Sequence, residues 1–179
     1  KYLAKKYNIE VHDRELTADE VRQKNERESL LILTSFAQKH FTRQLHNQDE
    51  GIAIGLSYFK ERGFKHDVVK KFQLGYCLQK RDAFTEYALS KGYKLDFLVK
   101  TGLTIKKETY QFDRFFGRVM FPIHSLSGKV IGFGGRTMKS DKKTAKYLNS
   151  PESLIYHKSN VLYGLYFAKR DIVRKDKCY

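Results

Sequence analysis

The strongest pattern in the chain is a stripe of apolar residues that recur every three or four positions. This spacing places their side chains on one face of a helix, so it predicts a long amphipathic helix from about Arg22 to Leu45. Polar residues occupy most of the positions between them, as in a helix that covers a core. The members of the stripe are Leu30, Leu33, Ala37, Phe41 and Leu45.

Four shorter helices are predicted where apolar positions lie ahead of a glycine or follow one. Asp49 and Asp82 are the expected N-terminal caps of the first two, and Leu74–Cys77 between them predicts a short extended piece. The predicted extents are Asp49–Gly63, Asp82–Gly92, Leu95–Gly102 and Gly164–Val173.

After the fourth of these five helices the apolar spacing becomes that of strands. Residues 118–123 and 129–133 flank the turn signal Ser127-Gly128 and predict a β-hairpin. Proline cannot donate to a strand ladder, so Pro122 places its strand at an edge or at a bulge. N-terminal helices followed by a small mixed or antiparallel sheet with flanking helices define the α+β class.

The first residues look like the cut end of a longer chain. No initiator methionine is present, and Lys1–Tyr7 enters in the middle of a helical pattern. An acidic connector, Glu10–Glu20, separates this pattern from the long helix. We therefore expect residues 1–21 to form a linker with a helix and residues 22–179 to form one domain.

The composition is that of a folded domain. Of the 179 residues, 41% are hydrophobic and 14% are aromatic, enough for a packed core. No apolar run approaches the roughly 20 residues of a membrane helix, and no signal peptide opens the sequence. Cys77 and Cys178 form no CxxC pair, and the six histidines lack zinc-ligand spacing. We expect reduced cysteines in a cytoplasmic protein and no metal site within this chain.

The charge is strongly positive and unevenly distributed. The net charge is +15, and most of the excess of lysine and arginine falls within residues 91–179. Residues 114–146 hold eight cations and one anion, Asp141. Such a one-signed stretch indicates a polyanionic partner: nucleic acid, an anionic membrane surface or an acidic protein. No basic amphipathic helix with bulky apolar anchors lies there, which disfavours the membrane.

A glycine-rich segment, Gly132–Arg136, occupies the second strand of the hairpin. It fails as a dinucleotide-binding fingerprint, because Thr137 stands where a glycine is required and no helix pattern follows. One interpretation is a strand that another backbone approaches closely, with Arg136 gripping a phosphate. The other is a bulge or tight crossing needed for packing. The residues alone leave both open.

A second candidate combines a cation, an aromatic ring and an expected helix start. Lys146 and Tyr147 suit single-stranded nucleic acid, since lysine meets phosphate and tyrosine stacks on a base. Ser150 before Pro151 predicts a helix whose free N–H groups favour anions. The alternative makes Tyr147 a core residue and Lys146 a solvated charge. Residues 114–118, where two arginines flank two phenylalanines, present the same choice against a hairpin with buried rings and exposed cations.

No complete catalytic constellation is present in the sequence. Two-metal phosphoryl transfer needs clustered carboxylates, whereas those of the basic half are scattered. His124 and its neighbouring serines lack the spacing of a nucleophile elbow, and we interpret His124 as an ordinary strand residue.

A series of short segments occurs in a fixed order from the second predicted helix to the last. The segments are Tyr58–Gly63, Phe72–Tyr76, Arg118–Ile123, Gly128–Arg136, Lys146–Glu152, Tyr156–Lys158 and Leu162–Leu165. In this order they resemble the bacterial replicative DNA primases of the DnaG type, over essentially the whole chain.

The resemblance implies a domain boundary. Such primases carry an N-terminal zinc-binding domain, a central RNA polymerase core and a C-terminal helicase-binding domain. The core joins a basic N-terminal lobe to a Toprim lobe, whose acidic residues hold Mg or Mn. Residues 22–179 then correspond to the basic lobe, truncated before the Toprim lobe, and residues 1–21 to the link from a missing zinc-binding domain. No catalytic residue, metal ligand or cofactor is expected in this fragment itself.

The resemblance also implies a function. The lobe would bind nucleic acid in a primase, a DNA-directed RNA polymerase that makes short RNA primers during replication, and would be inactive alone. The implied partners are single-stranded DNA template, RNA–DNA hybrid and nucleoside triphosphates. The replicative helicase would bind through the missing C-terminal domain, in the cytoplasm at the replication fork.

Individual residues match the family's functional positions. Arg136, Lys146 and Tyr147 match positions that hold template, primer or incoming nucleotide. Phe116 departs from the family, many members of which carry a basic residue there, so we expect it to stack or pack rather than contact phosphate. The nucleic-acid-binding residues implied are Arg62, Arg118, Arg136, Lys146, Tyr147 and Asn149.

Two alternatives remain from the residues alone. One is a stand-alone module that binds single-stranded nucleic acid without catalysis. The other is a docking domain for an acidic protein, with its aromatic residues as hot spots. A Glu-Gly-x-x-Asp segment further along the gene product would exclude the first, and competition by oligonucleotides would exclude the second.

Overall fold

The computed structural model describes residues 6–7, 17–139 and 144–178. Helices interrupted by one short strand, Gly75–Cys77, come first; the other strands follow, and one helix closes the described chain. All strand pairs are antiparallel, which confirms the α+β class. Most of the predicted helix at Lys1–Tyr7 and most of the acidic connector lie outside the described residues.

The helices and strands are named here in chain order. The helices are α1 (Ala18–Asn47), α2 (Ser57–Glu61), α3 (His66–Lys71), α4 (Ala83–Ser90), α5 (Leu95–Lys100) and α6 (Leu165–Lys175). A π-helical segment, Gly51–Leu56, precedes α2, and a 3-10 turn covers Lys158–Asn160. The strands are β1 (Gly75–Cys77), β2 (Thr104–Lys106), β3 (Gln111–Asp113), β4 (Arg118–His124), β5 (Val130–Thr137) and β6 (Tyr147–Asn149).

The long helix α1 begins earlier than the predicted Arg22. The Thr17 hydroxyl accepts a hydrogen bond from the Glu20 amide at 3.3 Å, and the Glu20 carboxylate accepts one from the Thr17 amide at 2.9 Å. This reciprocal capping box starts the helix within the predicted connector. Every member of the predicted apolar stripe is buried.

The second predicted helix differs from the expectation at its start, and it approaches α1 through glycines. The segment that begins it, Gly51–Leu56, is π-helical and has no side-chain cap, so Asp49 does not act as one. Gly51 and Gly55 face α1, whereas Ile52 is 45% exposed. A Cβ on Gly51 would overlap the Gln44 carbonyl. The close approach of the two helices therefore depends on glycine at positions 51 and 55.

Helix α4 is capped by a residue that is distant in sequence. The sequence assigns this role to Asp82, but Asp82 forms no side-chain capping bond. The Asp113 carboxylate of β3 instead accepts hydrogen bonds from the amides of Phe84 and Thr85, each at 2.8 Å. The short hairpin β2–β3 thereby holds the start of α4.

The main sheet has the strand order β1-β4-β5-β6, with every neighbouring pair antiparallel. The β4–β5 hairpin is the predicted one. β1 pairs only with residues 118–120 of β4, so the β1 side of Pro122 has no strand partner. The register shifts between Ile123 and His124, just beyond it. The missing N–H of Pro122 thus falls where no described strand pairs with β4 on that side, next to an irregularity of the ladder. β4 is an interior strand of the sheet, so the predicted edge is found only locally.

Two hydrophobic clusters pack on opposite faces of this sheet, because successive strand residues point to opposite sides. Met120 belongs to the cluster with α4 and α5, and Val119 belongs to the cluster with α2 and α3. α1 contributes to both, through Phe41 in the first and Leu45 in the second.

No helix begins at Pro151, which contradicts the prediction. The Ser150 amide donates to the Phe133 carbonyl at 2.8 Å, and the Ser150 hydroxyl accepts from the Phe133 amide at 3.0 Å. Ser150 therefore extends the β5–β6 pairing instead of capping a helix. A bridge between Ser153 and Tyr156 follows. The anion-binding helix end expected there is a turn.

Candidate nucleic-acid interface

Strands β5 and β6 present their functional side chains on one face of the sheet. Arg136 pairs with Tyr147, and Gly134 pairs with Asn149. Paired residues in antiparallel strands project from the same face, and residues two apart share it. These four positions therefore form one surface.

A groove of about 410 Å³ lies on this surface. We call it the β5–β6 groove. Glycines leave part of its floor without side chains, and aromatic rings and one lysine form its walls. Its lining residues are Phe121, Ile123, Gly134, Gly135, Tyr147, Asn149, Tyr156, Lys158, Val161 and Tyr163.

A single tyrosine joins two of the predicted site arginines. The Arg136 guanidinium carbon lies 4.5 Å from the centre of the Tyr58 ring, and that of Arg62 lies 5.8 Å from the same centre. Both distances are within the range of a cation–π contact. The Nε of Arg136 is buried without a hydrogen-bond partner in the described part of the chain. The Nε of Arg136 is thus a donor without an acceptor among these residues, and the positive charge of the guanidinium lies over the Tyr58 ring.

Lys146 and Tyr147 stand at the surface. Tyr147 is 66% exposed, so the alternative that makes it a core residue is wrong. The Lys146 Nζ lies 5.9 Å from the centre of its ring. Within residues 17–139 and 144–178, no ion pair engages Arg62, Arg136, Lys146 or Lys158. Unpaired cations beside an exposed ring suit a polyanion that carries flat bases.

Arg118 is separate from this group. It is only 7% exposed and lies on the opposite face of β4 from Val119, the residue that pairs with Arg136. Its guanidinium donates to the carbonyls of Ala145 at 2.9 Å and of Gly135 and Lys146 at 3.4 Å. The structure thus brings Arg62, Arg136, Tyr147 and Asn149 to one face and places Arg118 behind it. The Lys146 Nζ lies near this face through its approach to the Tyr147 ring. A contact between Arg118 and nucleic acid stays a prediction.

The arginines and phenylalanines of residues 114–118 follow neither simple interpretation. Phe115 is buried, but Arg118 is buried as well, and Arg114 is half-buried. Burial lowers the pKa of both arginines, and repulsion from Arg114 lowers that of Arg118 further. The ring of Phe116 lies 5.5 Å from the Arg81 guanidinium carbon and 5.8 Å from the Lys139 Nζ. Phe116 therefore stacks with cations.

The glycine-rich segment serves packing on one face and the groove on the other. A Cβ on Gly135 would lie 2.6 Å from a Phe115 ring carbon and 3.1 Å from the Arg118 Cδ. A Cβ on Gly134 would meet the Asn149 Oδ1 at 3.2 Å, at the floor of the groove. The atoms that come close are side chains, not a second backbone.

His124 is a packed residue, as interpreted from the sequence. Its Nε2 lies 2.9 Å from the Gln73 Oε1, and its ring contacts those of Tyr166 and Phe167. Burial lowers its pKa. Among the described residues, His, Cys, Asp and Glu side chains form no group of three that could hold a metal ion. The same residues include no helix with the length and apolarity needed to cross a bilayer.

Sequence reasoning missed Lys158 and Tyr58 as members of the surface. Lys158 belongs to the motif Tyr156–Lys158, and Tyr58 opens the motif Tyr58–Gly63. Both motifs supported the family resemblance, but within them only Arg62 was assigned a role. Inspection of each polar or aromatic residue in those motifs could have found them.

Comparison with known proteins gives one consistent family. Residues 40–169 match the family described as the DNA primase catalytic core, N-terminal domain. The DNA primase of Halalkalibacterium halodurans is 38% identical over 176 residues, which cover 97% of this chain. That of Clostridium acetobutylicum is 37% identical over 96% of this chain. The chain spans 28% of the length of each of these two relatives.

Solved structures agree with the sequence comparison. The RNA polymerase domain of Mycobacterium tuberculosis primase DnaG is similar with a TM-score of 0.77 and 35% identity, covering 83% of this chain and 48% of that one. A DnaG primase catalytic domain bound to single-stranded DNA gives a TM-score of 0.74 and 34% identity, covering 84% and 46%. The zinc-binding and RNA polymerase domains of Aquifex aeolicus primase give 0.73 and 29%, covering 97% and 40%.

Proposed function

Because the chain belongs to the family of DNA primase catalytic core N-terminal domains, we propose that it is the lobe that holds single-stranded DNA template in a primase. The observation that carries the proposal is the β5–β6 groove with its surrounding cations, which have no ion pairs among the described residues. A related catalytic domain has been solved with single-stranded DNA bound.

In this proposal the side chains at and around the groove have three kinds of role. Arg62, Arg136 and Lys146 neutralise backbone phosphates, which supply most of the affinity for nucleic acid. Tyr147 stacks on a base, since its ring is exposed and every base offers a flat face. The Asn149 amide can both donate to and accept from a base edge or sugar.

The whole protein, in this proposal, makes short RNA primers on single-stranded DNA during replication. Its further partners are RNA–DNA hybrid, nucleoside triphosphates and the replicative helicase, and it works in the cytoplasm at the replication fork. Residues 22–179 are the basic lobe of the polymerase core. Residues 1–21 connect it to a zinc-binding domain.

The metals of the proposed reaction belong to other parts of the protein. Mg or Mn on a Toprim lobe supplies Lewis-acid chemistry for phosphoryl transfer, and Zn supports the zinc-binding domain. The described residues of this chain do not fit either group, because their carboxylates, histidines and cysteines do not cluster. The lobe contributes binding and orientation of the template, so alone it makes no primer.

Titration of fluorescent single-stranded DNA at several salt concentrations tests this assignment. On single strands the log–log slope of affinity against salt is about −0.7 per phosphate contact. We expect Lys146→Ala to weaken binding and to reduce the slope by about one such contact. Tyr147→Ala should weaken binding without changing the slope, because it removes stacking and no charge.

Lys94→Ala is the matched control, since it removes an exposed lysine outside the groove. Equal losses of DNA affinity in Lys94→Ala and Lys146→Ala would show that binding depends on net charge alone. That result would refute the groove as the DNA-binding site. The stand-alone module and the acidic-protein docking domain are not favoured, because the relatives are DNA primases.

A further inference from the structure

Two arginines reach the main chain of β6 from behind. The Arg118 guanidinium donates to the carbonyls of Ala145 and Lys146, at the start of the strand, and to Gly135 of β5. The Arg114 Nε donates to the carbonyl of Asn149, the last residue of β6, at 3.2 Å. The two side chains thus hold both ends of the strand.

β6 has few other contacts that could hold it in place. It is three residues long, lies at the edge of the sheet and, among the strands of the described residues, pairs only with β5. Two of its three partners in β5 are Gly134 and Gly135, which offer no side chain for cross-strand packing. Of its own side chains, Leu148 alone packs against a hydrophobic cluster. Arg114 and Arg118 therefore supply a large share of its fixed contacts.

Arg118 has no access to the surface that β6 presents. Its side chain crosses Gly135, where it lies 3.1 Å from the position of an absent Cβ. Its three acceptors are carbonyl oxygens, and no ion pair engages Arg118 within residues 17–139 and 144–178. The planar fork of arginine is suited to several acceptors at once, which a lysine ammonium cannot reproduce in the same place.

We propose that Arg118 and Arg114 are positioning residues, which hold β6 so that Lys146, Tyr147 and Asn149 meet the DNA, and that Arg118 does not itself contact nucleic acid. This inference rests on the proposed function, and it replaces the nucleic-acid contact that the family resemblance implied for Arg118. A positioning residue acts only through the side chains it places. Its effect on binding therefore vanishes when they are absent.

A double-mutant cycle measured by DNA titration tests this dependence. We expect Arg118→Met to weaken binding about tenfold in the wild-type background, but less than about twofold in a background that carries Lys146→Ala, Tyr147→Ala and Asn149→Ala. A phosphate contact would give equal losses in both backgrounds, and that result would overturn the proposal. Arg170→Met, which removes an exposed arginine of α6, is the control for charge.

The conservative variant Arg118→Lys provides a second test of the positioning role. Arg118→Lys keeps the positive charge but loses the fork, so it should bind DNA as poorly as Arg118→Met. Wild-type affinity in Arg118→Lys would show that charge alone suffices, and would overturn the proposal.

Amide hydrogen exchange separates this inference from the proposed function, because it needs no DNA. In Arg118→Met we expect faster exchange at residues 145–149, with β4 and α1 unchanged. Unchanged exchange at β6 would overturn the positioning role even if DNA binding were lost. Failure of the wild-type chain to bind DNA would refute the template-holding function, whereas the exchange result would still decide whether Arg118 holds β6.

Discussion

Asp113 is a buried carboxylate whose protonation is tied to a helix start. Its side chain accepts the amides of Phe84 and Thr85 and also the Thr85 hydroxyl at 2.6 Å. Burial raises its pKa to about 6, although these hydrogen bonds act in the opposite direction. No local pattern in the sequence indicates this cap, because Asp82 stands at the usual position and Asp113 lies in another element.

Removing the Asp113 carboxylate should destabilise the chain and change its dependence on pH. We expect Asp113→Ala to lower the free energy of unfolding by about 1–3 kcal/mol, because three donors lose their acceptor. With its pKa raised, the folded chain binds the Asp113 proton more tightly than the unfolded chain does. The contribution of Asp113 is therefore greatest below about pH 4 and falls as the pH rises through 6.

Urea unfolding at pH 4.5 and pH 8 measures the difference in unfolding free energy between wild type and Asp113→Ala. We expect this difference to be smaller at pH 8. Asp82→Ala is the control, since Asp82 is also in the α4 start but makes no capping bond. An equal loss in Asp82→Ala would restore the cap predicted from sequence.

At the scale of elements, β5 shows how one strand can serve two faces. Its alternating positions point to the groove on one side and to Phe115 and Arg118 on the other. The adjacent glycines Gly134 and Gly135 therefore contact different neighbours.

Alanine at these two positions should separate stability from binding. Gly135→Ala forces a Cβ to within 2.6 Å of the buried Phe115 ring, so we expect a loss of about 1–3 kcal/mol in unfolding free energy. Gly134→Ala meets only the exposed Asn149 side chain at 3.2 Å, so the fold should tolerate it while DNA affinity falls. Thermal unfolding and DNA titration of both variants check this. Equal losses of stability would show that both faces of β5 are packed alike.

Periodicity predicted the elements whose own residues determine them. The stripe of α1, the β4–β5 hairpin and the helix after Gly164 were found because spacing and turn residues are local signals. α3 and the β2–β3 hairpin were missed. The helix at Pro151 was wrong because the Ser150 hydroxyl bonds to Phe133, a partner that spacing does not reveal.

At the scale of the whole molecule, α1 joins the two hydrophobic clusters. Phe41 packs with Phe84 and Phe133 in one cluster, and Leu45 lies in the other with Phe59. A helix shared in this way couples the clusters, so neither is expected to lose its packing alone.

We expect a single cooperative unfolding transition in which both clusters melt together. Phe41→Ala, which opens a cavity in one cluster, should lower the free energy of unfolding by about 3–5 kcal/mol. Both clusters should then melt at the same, lower midpoint. Far-ultraviolet circular dichroism and tyrosine absorbance would follow helix and core separately, since the chain has no tryptophan. Two resolved transitions in Phe41→Ala would show that the clusters are independent.

The candidate site was predictable where its residues lie in recognisable sequence motifs. Arg136, Lys146, Tyr147 and Asn149 lie in motifs close in sequence, and the β5–β6 pairing brings them together. The shared contact of Arg62 and Arg136 with Tyr58 joins distant segments. Arg118 was placed on the surface because a motif records that a residue is present and not which way it points.

The short reach of β1 has a consequence for behaviour at high concentration. Beyond Met120, no described strand pairs with β4 on its β1 side, and an uncovered edge of this kind can recruit a strand from another molecule. Here Pro122 is buried, and the His124 ring packs against Tyr166 and Phe167 of α6. Pro122 removes the donor that would begin this addition, and the neighbouring irregularity bends the ladder. The sheet thus carries its own protection against self-association into extended β-structure.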